Sequence, residues 1–228
     1  MSRVAIITAR GGSKRIPKKN IKDFCGKPIL AYSIEAAIKS NLFDEVMVST
    51  DSQEIAKIAK DYGAQIPFMR SRETSNDYAI TMDVLKECIA KYSEIGKEFD
   101  TVCCIYPTAP FITSQKLKEA IEIFDLKDAD CVSPVVQFSF PPQRSFVIEN
   151  DKLVYKWPEN YAKRSQDLEK MYHDVGQFYV YKTEAIKNKS IHEMSNYPII
   201  VPESQVQDID TMEDWKLAEI KFRLMMEE

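Results

Sequence analysis

Arg3-Val4-Ala5-Ile6-Ile7-Thr8-Ala9-Arg10-Gly11-Gly12-Ser13-Lys14-Arg15-Ile16-Pro17-Lys18-Lys19-Asn20 is the stretch on which the fold turns. Val4–Thr8 is a continuous apolar run too short for a helix, so it reads as a strand buried on both faces. It runs directly into Gly11-Gly12, two of only six glycines in the chain. Five cations, Arg10, Lys14, Arg15, Lys18 and Lys19, surround that pair. Glycine lets backbone amides approach an anion closely, and the cations add charge-assisted donors. The loop therefore reads as a phosphate cradle, with a solvated basic turn as the alternative. It is neither GxxxxGK[ST] nor GxGxxG, the two common phosphate fingerprints.

Working outward, apolar runs and amphipathic stretches alternate. Strands are expected at Val46–Ser49, Ile66–Met69, Val102–Tyr106 and Cys131–Val136. Helices are expected at Ile29–Ser40, Gln53–Tyr62, Thr81–Tyr92 and Ser114–Phe124. This predicts an α/β fold: a mostly parallel, Rossmann-like sheet with helices on both faces. Residues 137–175 break the rhythm with Pro141-Pro142, aromatic residues and mixed charge, and read as an excursion: a hairpin arm, a lid or a dimer contact. Gly176–Tyr181 and Ile199–Val201 return to strand character. Thr211–Met225 closes the chain as a helix capped by Asp210 or Thr211. All 228 residues form one domain in this reading. Ligands of such sheets gather at the carboxyl ends of the strands, so the loops after Thr8, Ser49, Tyr106 and Val136 are where a site belongs.

The whole-chain balance narrows the function. A net charge of -4 and a pI near 5.5 argue against a nucleic-acid binder, which needs a basic stripe. The five cysteines contain no CxxC pair and sit mostly in apolar runs. They read as reduced, buried thiols of a cytoplasmic protein, not as disulfides or a zinc site. No run approaches a membrane span or a signal peptide. Asp208 and Asp210 stand two apart, on one side of an extended segment. They can hold Mg²⁺, a hard cation that takes oxygen ligands; the competing reading makes Asp210 a helix cap and Asp208 a surface charge.

The glycine loop resembles the nucleotide-binding signature of the CMP-sugar synthetases, the cytidylyltransferases that activate sialic-type and related keto-sugar acids. Val48-Ser49-Thr50-Asp51, Tyr106-Pro107-Thr108-Ala109-Pro110 and Asp208-Ile209-Asp210-Thr211 extend the match in order over essentially the whole chain. The resemblance implies that Arg10, Gly11, Gly12, Ser13, Lys14, Lys19 and Asn20 bind CTP, with Arg70 near the base. Asp77, in the loop adjoining Arg70, is expected among the nucleotide-binding residues too, with a turn role before a helix as its alternative. Asp208 and Asp210 become the Mg²⁺ ligands, and Arg10, Lys19 and Asp210 the catalytic set.

A keto-sugar acid offers a carboxylate, hydroxyls and amides. Arginine suits the first, and glutamine the last. On that basis Tyr106, Arg144, Arg164, Gln166, His173 and Gln177 are expected on the sugar side, with a hydrogen-bonded structural role as the plainer reading of a lone histidine. Ser165-Gln166-Asp167-Leu168 and Tyr172-His173-Asp174-Val175-Gly176-Gln177-Phe178-Tyr179 resemble the branch acting on pseudaminic acid more than the sialate branch. The resemblance also implies a homodimer that exchanges residues 137–175.

Overall fold

Apart from Ile66–Met69, each apolar run expected as a strand in the amino-terminal half becomes one strand of a single sheet. The computed structural model describes residues 1–227. β1 (Arg3–Thr8) is followed by a small hairpin, β2 (Asp23–Phe24) and β3 (Lys27–Pro28), then α1 (Ile29–Ser40), β4 (Glu45–Ser49) and α2 (Gln53–Asp61). Next come α3 (Thr81–Glu94), β5 (Thr101–Ile105), α4 (Ser114–Lys127) and β6 (Cys131–Gln137). β7 (Phe146–Glu149) and β8 (Lys152–Tyr155) form a separate hairpin, followed by β9 (Tyr172–Asp174), β10 (Phe178–Lys182), α5 (Thr183–Asn188), β11 (Asn196–Ile200) and α6 (Met212–Glu227).

The sheet order is β11-β6-β10-β5-β1-β4, with β9 also beside β6. β1 lies parallel to both β4 and β5, and β11 is parallel to β6. β10 runs antiparallel between β5 and β6. Successive side chains of β1 alternate between two buried faces. Ala5 and Ile7 meet Leu30 and Ile34 of α1 and Leu117 and Ile121 of α4, while Val4 and Ile6 meet Leu85 and Cys88 of α3 and Ile186 of α5. This double burial is why the strands read as unbroken apolar runs. A third cluster packs Trp215, Ala218 and Phe222 of α6 on Phe24, Ile29, Phe111 and Ile209, bringing the carboxyl-terminal helix back against the first hairpin. Cys88, Cys103, Cys104 and Cys131 are buried free thiols, and Cys25 is half-buried.

Three departures from the sequence reading have physical causes. Ile66–Met69 is not a strand: Gln65 alone bridges Met47, through Val48 N to Gln65 O at 3.0 Å and Gln65 N to Val46 O at 2.8 Å. Pro67 has no N–H with which to extend the ladder. The antiparallel direction of β10 was not legible either, because an apolar run reports burial and not direction. The third departure lies in β6. Its Val135 carbonyl faces β11, accepting from Val201 N at 2.9 Å, so Pro134 faces the other neighbour. There Pro134 offers a carbonyl, met by Val175 N at 3.4 Å, and no N–H. Pairing with β10 stops at Val132 and resumes with β9 only at Val135, and the partner strand loops out at residues 175–177.

Candidate active site

The glycine loop is held by the Gly11 amide and the Lys19 and Asn20 side chains, and most of its side chains line a cleft. Gly11 N donates to Asp51 Oδ1 at 2.8 Å, and a Cβ on Gly11 would come within 3.1 Å of Ser52 Cβ, so the close approach to the start of α2 favours glycine. Gly12 has no such constraint. Asn20 is buried and donates to the Arg10 carbonyl at 2.8 Å, closing the loop on itself. Lys19 Nζ donates to the Ile209 carbonyl at 2.6 Å, tying the loop to the segment before α6. Burial lowers the Lys19 pKa, and nearby Asp210 and Asp208 offset this only in part.

Thr8, Arg10, Ser13, Lys14, Arg15, Lys19, Asn20, Asp77, Thr81, Tyr106 and Thr108 are among the residues lining a cleft of about 520 Å³ at the carboxyl ends of β1 and β5. Its cations are partnered by carboxylates from far along the chain. Arg10 Nη1 donates to Asp77 Oδ1 at 3.0 Å and Asn76 O at 2.9 Å, and Lys14 also pairs with Asp77. Lys14 and Arg10 accordingly hold the Asp77 carboxyl below its usual range. The segment bearing Asp77 is anchored by Glu87 of α3, which accepts from Ser71 N at 2.8 Å and from Thr74 Oγ1. Burial pushes the Glu87 carboxyl up, but Lys91, Thr74 and Ser71 outweigh it and hold it down to about 2. Arg70 does not line this cleft. It is buried behind the end of β4, donating from Nε to Ser49 Oγ at 3.0 Å and from Nη2 to Ser49 O at 2.7 Å.

The acidic pair flanks the buried Ile209, with Asp208 exposed and Asp210 half-buried. Arg15 Nη1 reaches Asp210 Oδ2 at 2.6 Å, and Lys19 Nζ lies 3.9 Å from Asp210 Oδ1. Asp210 does not cap α6. Thr211 does, accepting from Asp214 N at 3.2 Å while Asp214 Oδ2 accepts from Thr211 N at 2.7 Å, a reciprocal capping box. The Asp210 carboxylate is therefore spared a capping role, and its partners are Arg15 and Lys19. Two carboxylates beside a cationic cleft suit Mg²⁺, which commonly takes one or two protein carboxylates and fills its shell from phosphate and water. Among the described residues no cluster of three or more His, Cys, Asp or Glu could hold an ion.

A second cavity, of about 490 Å³, adjoins the first, and Tyr106 and Thr108 line both. Its wall also includes His173, Asp174, Val175, Gly176, Tyr179, Gln207 and Asp208. The His173 ring packs on Phe138 with centroids 4.7 Å apart, and Nδ1 lies 2.9 Å from the Asp174 carbonyl. Gln177 is buried behind the wall, donating to Gln205 O at 2.7 Å with Oε1 unpartnered. Arg144, Arg164 and Gln166 line neither cavity. They sit on the arm, where Arg144 Nη1 donates to Ser165 Oγ at 3.2 Å and Arg164 Nε to Asp167 Oδ2 at 2.8 Å. Thr81, Thr108 and Asp174 line the cavities although the sequence reading assigns them no role, and Tyr179 lines the second, where it is expected to pack on a sugar face. For Asp174 the signal was present, since Asp-x-Gly marks a turn closed by the aspartate side chain.

The profile of the Cytidylyltransferase family matches residues 4–204 of this chain. A Campylobacter jejuni protein named pseudaminic acid cytidylyltransferase is 41% identical, over 98% of this chain and 97% of its own. A CMP-N,N'-diacetyllegionaminic acid synthase of Legionella pneumophila is 34% identical over 98% and 97%. Among solved structures, a CMP:2-keto-3-deoxy-manno-octonic acid synthetase complexed with CTP superposes with a TM-score of 0.70 at 19% identity, covering all of both chains. That likeness shows the same fold.

Proposed function

The chain belongs to the cytidylyltransferase family, and we propose that within it the enzyme transfers CMP from CTP to the anomeric hydroxyl of pseudaminic acid, releasing pyrophosphate. The observation that carries this reading is the pair of adjoining cavities, one cationic and one walled by aromatic, amide and carboxylate groups, meeting at Tyr106 and Thr108. A triphosphate suits the first and a sugar acid the second, with the α-phosphate at the seam. The new bond forms between the anomeric oxygen and the α-phosphorus, and the bond to the bridging oxygen of pyrophosphate breaks. The hydroxyl proton is released. The chain's part is positioning and charge stabilisation. Arg10, Ser13, Lys14, Lys19 and the Gly11-Gly12 backbone hold the phosphates, Asn20 keeps the loop in shape, and Arg70 braces the end of β4 toward the base. A triphosphate competes with Asp77 for Arg10 and Lys14. Asp208 and Asp210 would hold Mg²⁺, which when bound neutralises charge on the phosphate oxygens.

The proposal extends to assembly. On the β7–β8 hairpin, Phe146 opposes Tyr155 and Ile148 opposes Leu153, so all four share one face. Ile148 is 76% and Leu153 69% exposed. A two-stranded hairpin is marginal alone in water, and an apolar ladder of this kind calls for a cover. A second copy of the chain is the cover we propose. Exchange of the arm is then the arrangement that lets Arg144, Arg164 and Gln166 reach a sugar. A cytoplasmic location fits the free thiols and the use of CTP; among the described residues no helix is long and apolar enough to cross a membrane.

The test is pyrophosphate release with CTP, Mg²⁺ and each of pseudaminic, legionaminic, N-acetylneuraminic and 2-keto-3-deoxy-manno-octonic acid. The highest kcat/KM is expected for pseudaminic acid. A higher value for another acid overturns the substrate assignment, and pyrophosphate release with none overturns the transfer reaction.

A further inference from the structure

Beside the loop at residues 175–177, opened where Pro134 interrupts the ladder, the end of β9 presents Asp174 to the second cavity, where Asp208 is the other carboxylate on the wall. Asp77 and Asp210 are each paired with cations. Among the described residues Asp174 has no cation partner, and unlike Asp208 on the same wall its carboxylate is fixed by hydrogen bonds. Its Oδ1 accepts from Gly176 N at 2.8 Å, and the Tyr179 hydroxyl lies 2.8 Å from Oδ1 and 2.6 Å from Oδ2. Gly176 has φ 61°, a left-handed conformation that suits glycine and lets its N–H turn back onto the carboxylate. Tyr179 is buried on β10, with its ring edge-on to Tyr106 at 5.7 Å. Burial and the Asp174 carboxylate both push the Tyr179 pKa up, so this hydroxyl stays a donor. Tyr106 OH in turn lies 3.0 Å from Thr81 Oγ1, in the nucleotide cleft.

An ionised carboxylate offers about four acceptor positions. The buried tyrosine and the turn amide fix its orientation and occupy only part of that capacity. The residue itself is exposed and lines the cavity, so the remaining lone pairs are open to a ligand. A ligand with N–H and O–H donors at one end and a carboxylate at the other meets opposite fields here. Asp174 repels its carboxylate and attracts its donors, while the cations of the glycine loop favour the reverse.

Resting on the proposed reaction, we propose that Asp174 is a specificity-determining residue. Its carboxylate, aimed by Tyr179 and the Gly176 amide, accepts a hydrogen bond from an amide N–H or hydroxyl of the sugar acid and so sets which way round the sugar lies.

The experiment is steady-state kinetics with CTP and pseudaminic acid on wild type, Asp174→Asn, Tyr179→Phe and the double variant, with melting temperatures alongside. Asparagine keeps an acceptor oxygen for the turn and removes the charge, so the fold is expected to survive. The sugar KM should rise about 10- to 100-fold in Asp174→Asn, the scale of a lost hydrogen bond to a charged group. The KM for CTP should stay within about two-fold. Tyr179→Phe should raise the sugar KM less, and the double variant no more than Asp174→Asn, because both act through one carboxylate. An unchanged sugar KM in Asp174→Asn, or equal rises in both KM values, overturns the assignment while leaving the reaction standing. Wild type that turns over no sugar acid overturns the reaction, and this assignment with it.

Discussion

The glycine loop and the arm at residues 137–175 both lack a place in the central ladder over most of their length, yet they are built in opposite ways. The loop is bound to the body at both ends, Gly11 to Asp51 and Lys19 to Ile209, and the Asn20 bond to the Arg10 carbonyl fixes the shape between those ties. The arm satisfies itself. Arg164 pairs with Asp167 three residues on, Gln143 donates to Glu169 O at 2.8 Å, and the hairpin ladder is exposed. A segment tied into a core inherits its geometry from that core. A segment closed on itself takes its geometry from whatever docks on it. The difference divides the site into a half whose shape is present in one chain and a half that, in our reading, is completed by a second.

The largest effect that bears on this contrast is expected in the loop. Lys19→Ala and Arg10→Ala should each lower kcat/KM for CTP by about 10²- to 10³-fold, corresponding to roughly 2–4 kcal/mol of lost transition-state stabilisation. Circular dichroism should remain that of the wild type. Near-normal turnover in both variants would make the loop a solvated turn and erase the contrast.

A smaller but more diagnostic loss is expected at Asp210. Because Thr211 and Asp214 cap α6, Asp210→Asn should leave the melting temperature within a degree or two, on the order expected for a substitution outside any cap. Activity should nevertheless fall by at least about ten-fold, since an amide is a poorer Mg²⁺ ligand than a carboxylate. Wild-type activity in excess EDTA, or an Asp210→Asn variant that melts early without losing turnover, would return this residue to a structural role.

The arm answers to a different measurement. Ile148→Asp with Leu153→Asp should shift the particle from two chains to one in light scattering, and should lower turnover while leaving CTP binding within about two-fold. A double variant that keeps the wild-type mass would mean that the ladder is covered by something other than a second copy.

The smallest effect is expected at Asp77. Removing its charge frees Arg10 and Lys14, so Asp77→Asn should lower the KM for CTP by about two- to five-fold at low salt and by less at high salt, as exposed pairs behave. A rise in KM instead would place Asp77 on the nucleotide.

Legibility followed the same divide. The loop could be read because its signal is local: two glycines and five cations within eleven residues of a buried strand. α1 was readable to the residue, since Pro28 and Asn41 bound an amphipathic run. What escaped depended on partners distant in sequence. Nothing in residues 71–80 says that Asp77 will meet Arg10, sixty-seven positions away. Nothing in Phe178–Lys182 says that the strand will run against its neighbour β5. The sugar-side arginines were chosen for their chemistry, which is compositional, whereas the arm's hydrogen bonding is geometric. Asp208 and Asp210 could be paired by spacing, but only the capping box at Thr211 and Asp214 separates Asp210 from the helix.

Pro134 has a consequence for how such a molecule tolerates change. At the one place where β6 can offer no N–H, the neighbouring strand has nothing to lose by bulging. Change in residues 175–177 therefore puts few sheet hydrogen bonds at stake, the long Val175 N to Pro134 O contact at 3.4 Å and Tyr106 N to Gln177 O at 2.8 Å. The wall facing the sugar is the cheapest part of the sheet to rewrite. The phosphate loop, pinned by Asp51, Asn20 and Ile209, is among the most expensive. A lineage that needed a new sugar while keeping the same nucleotide would find its variation already confined to the permissive side of one proline.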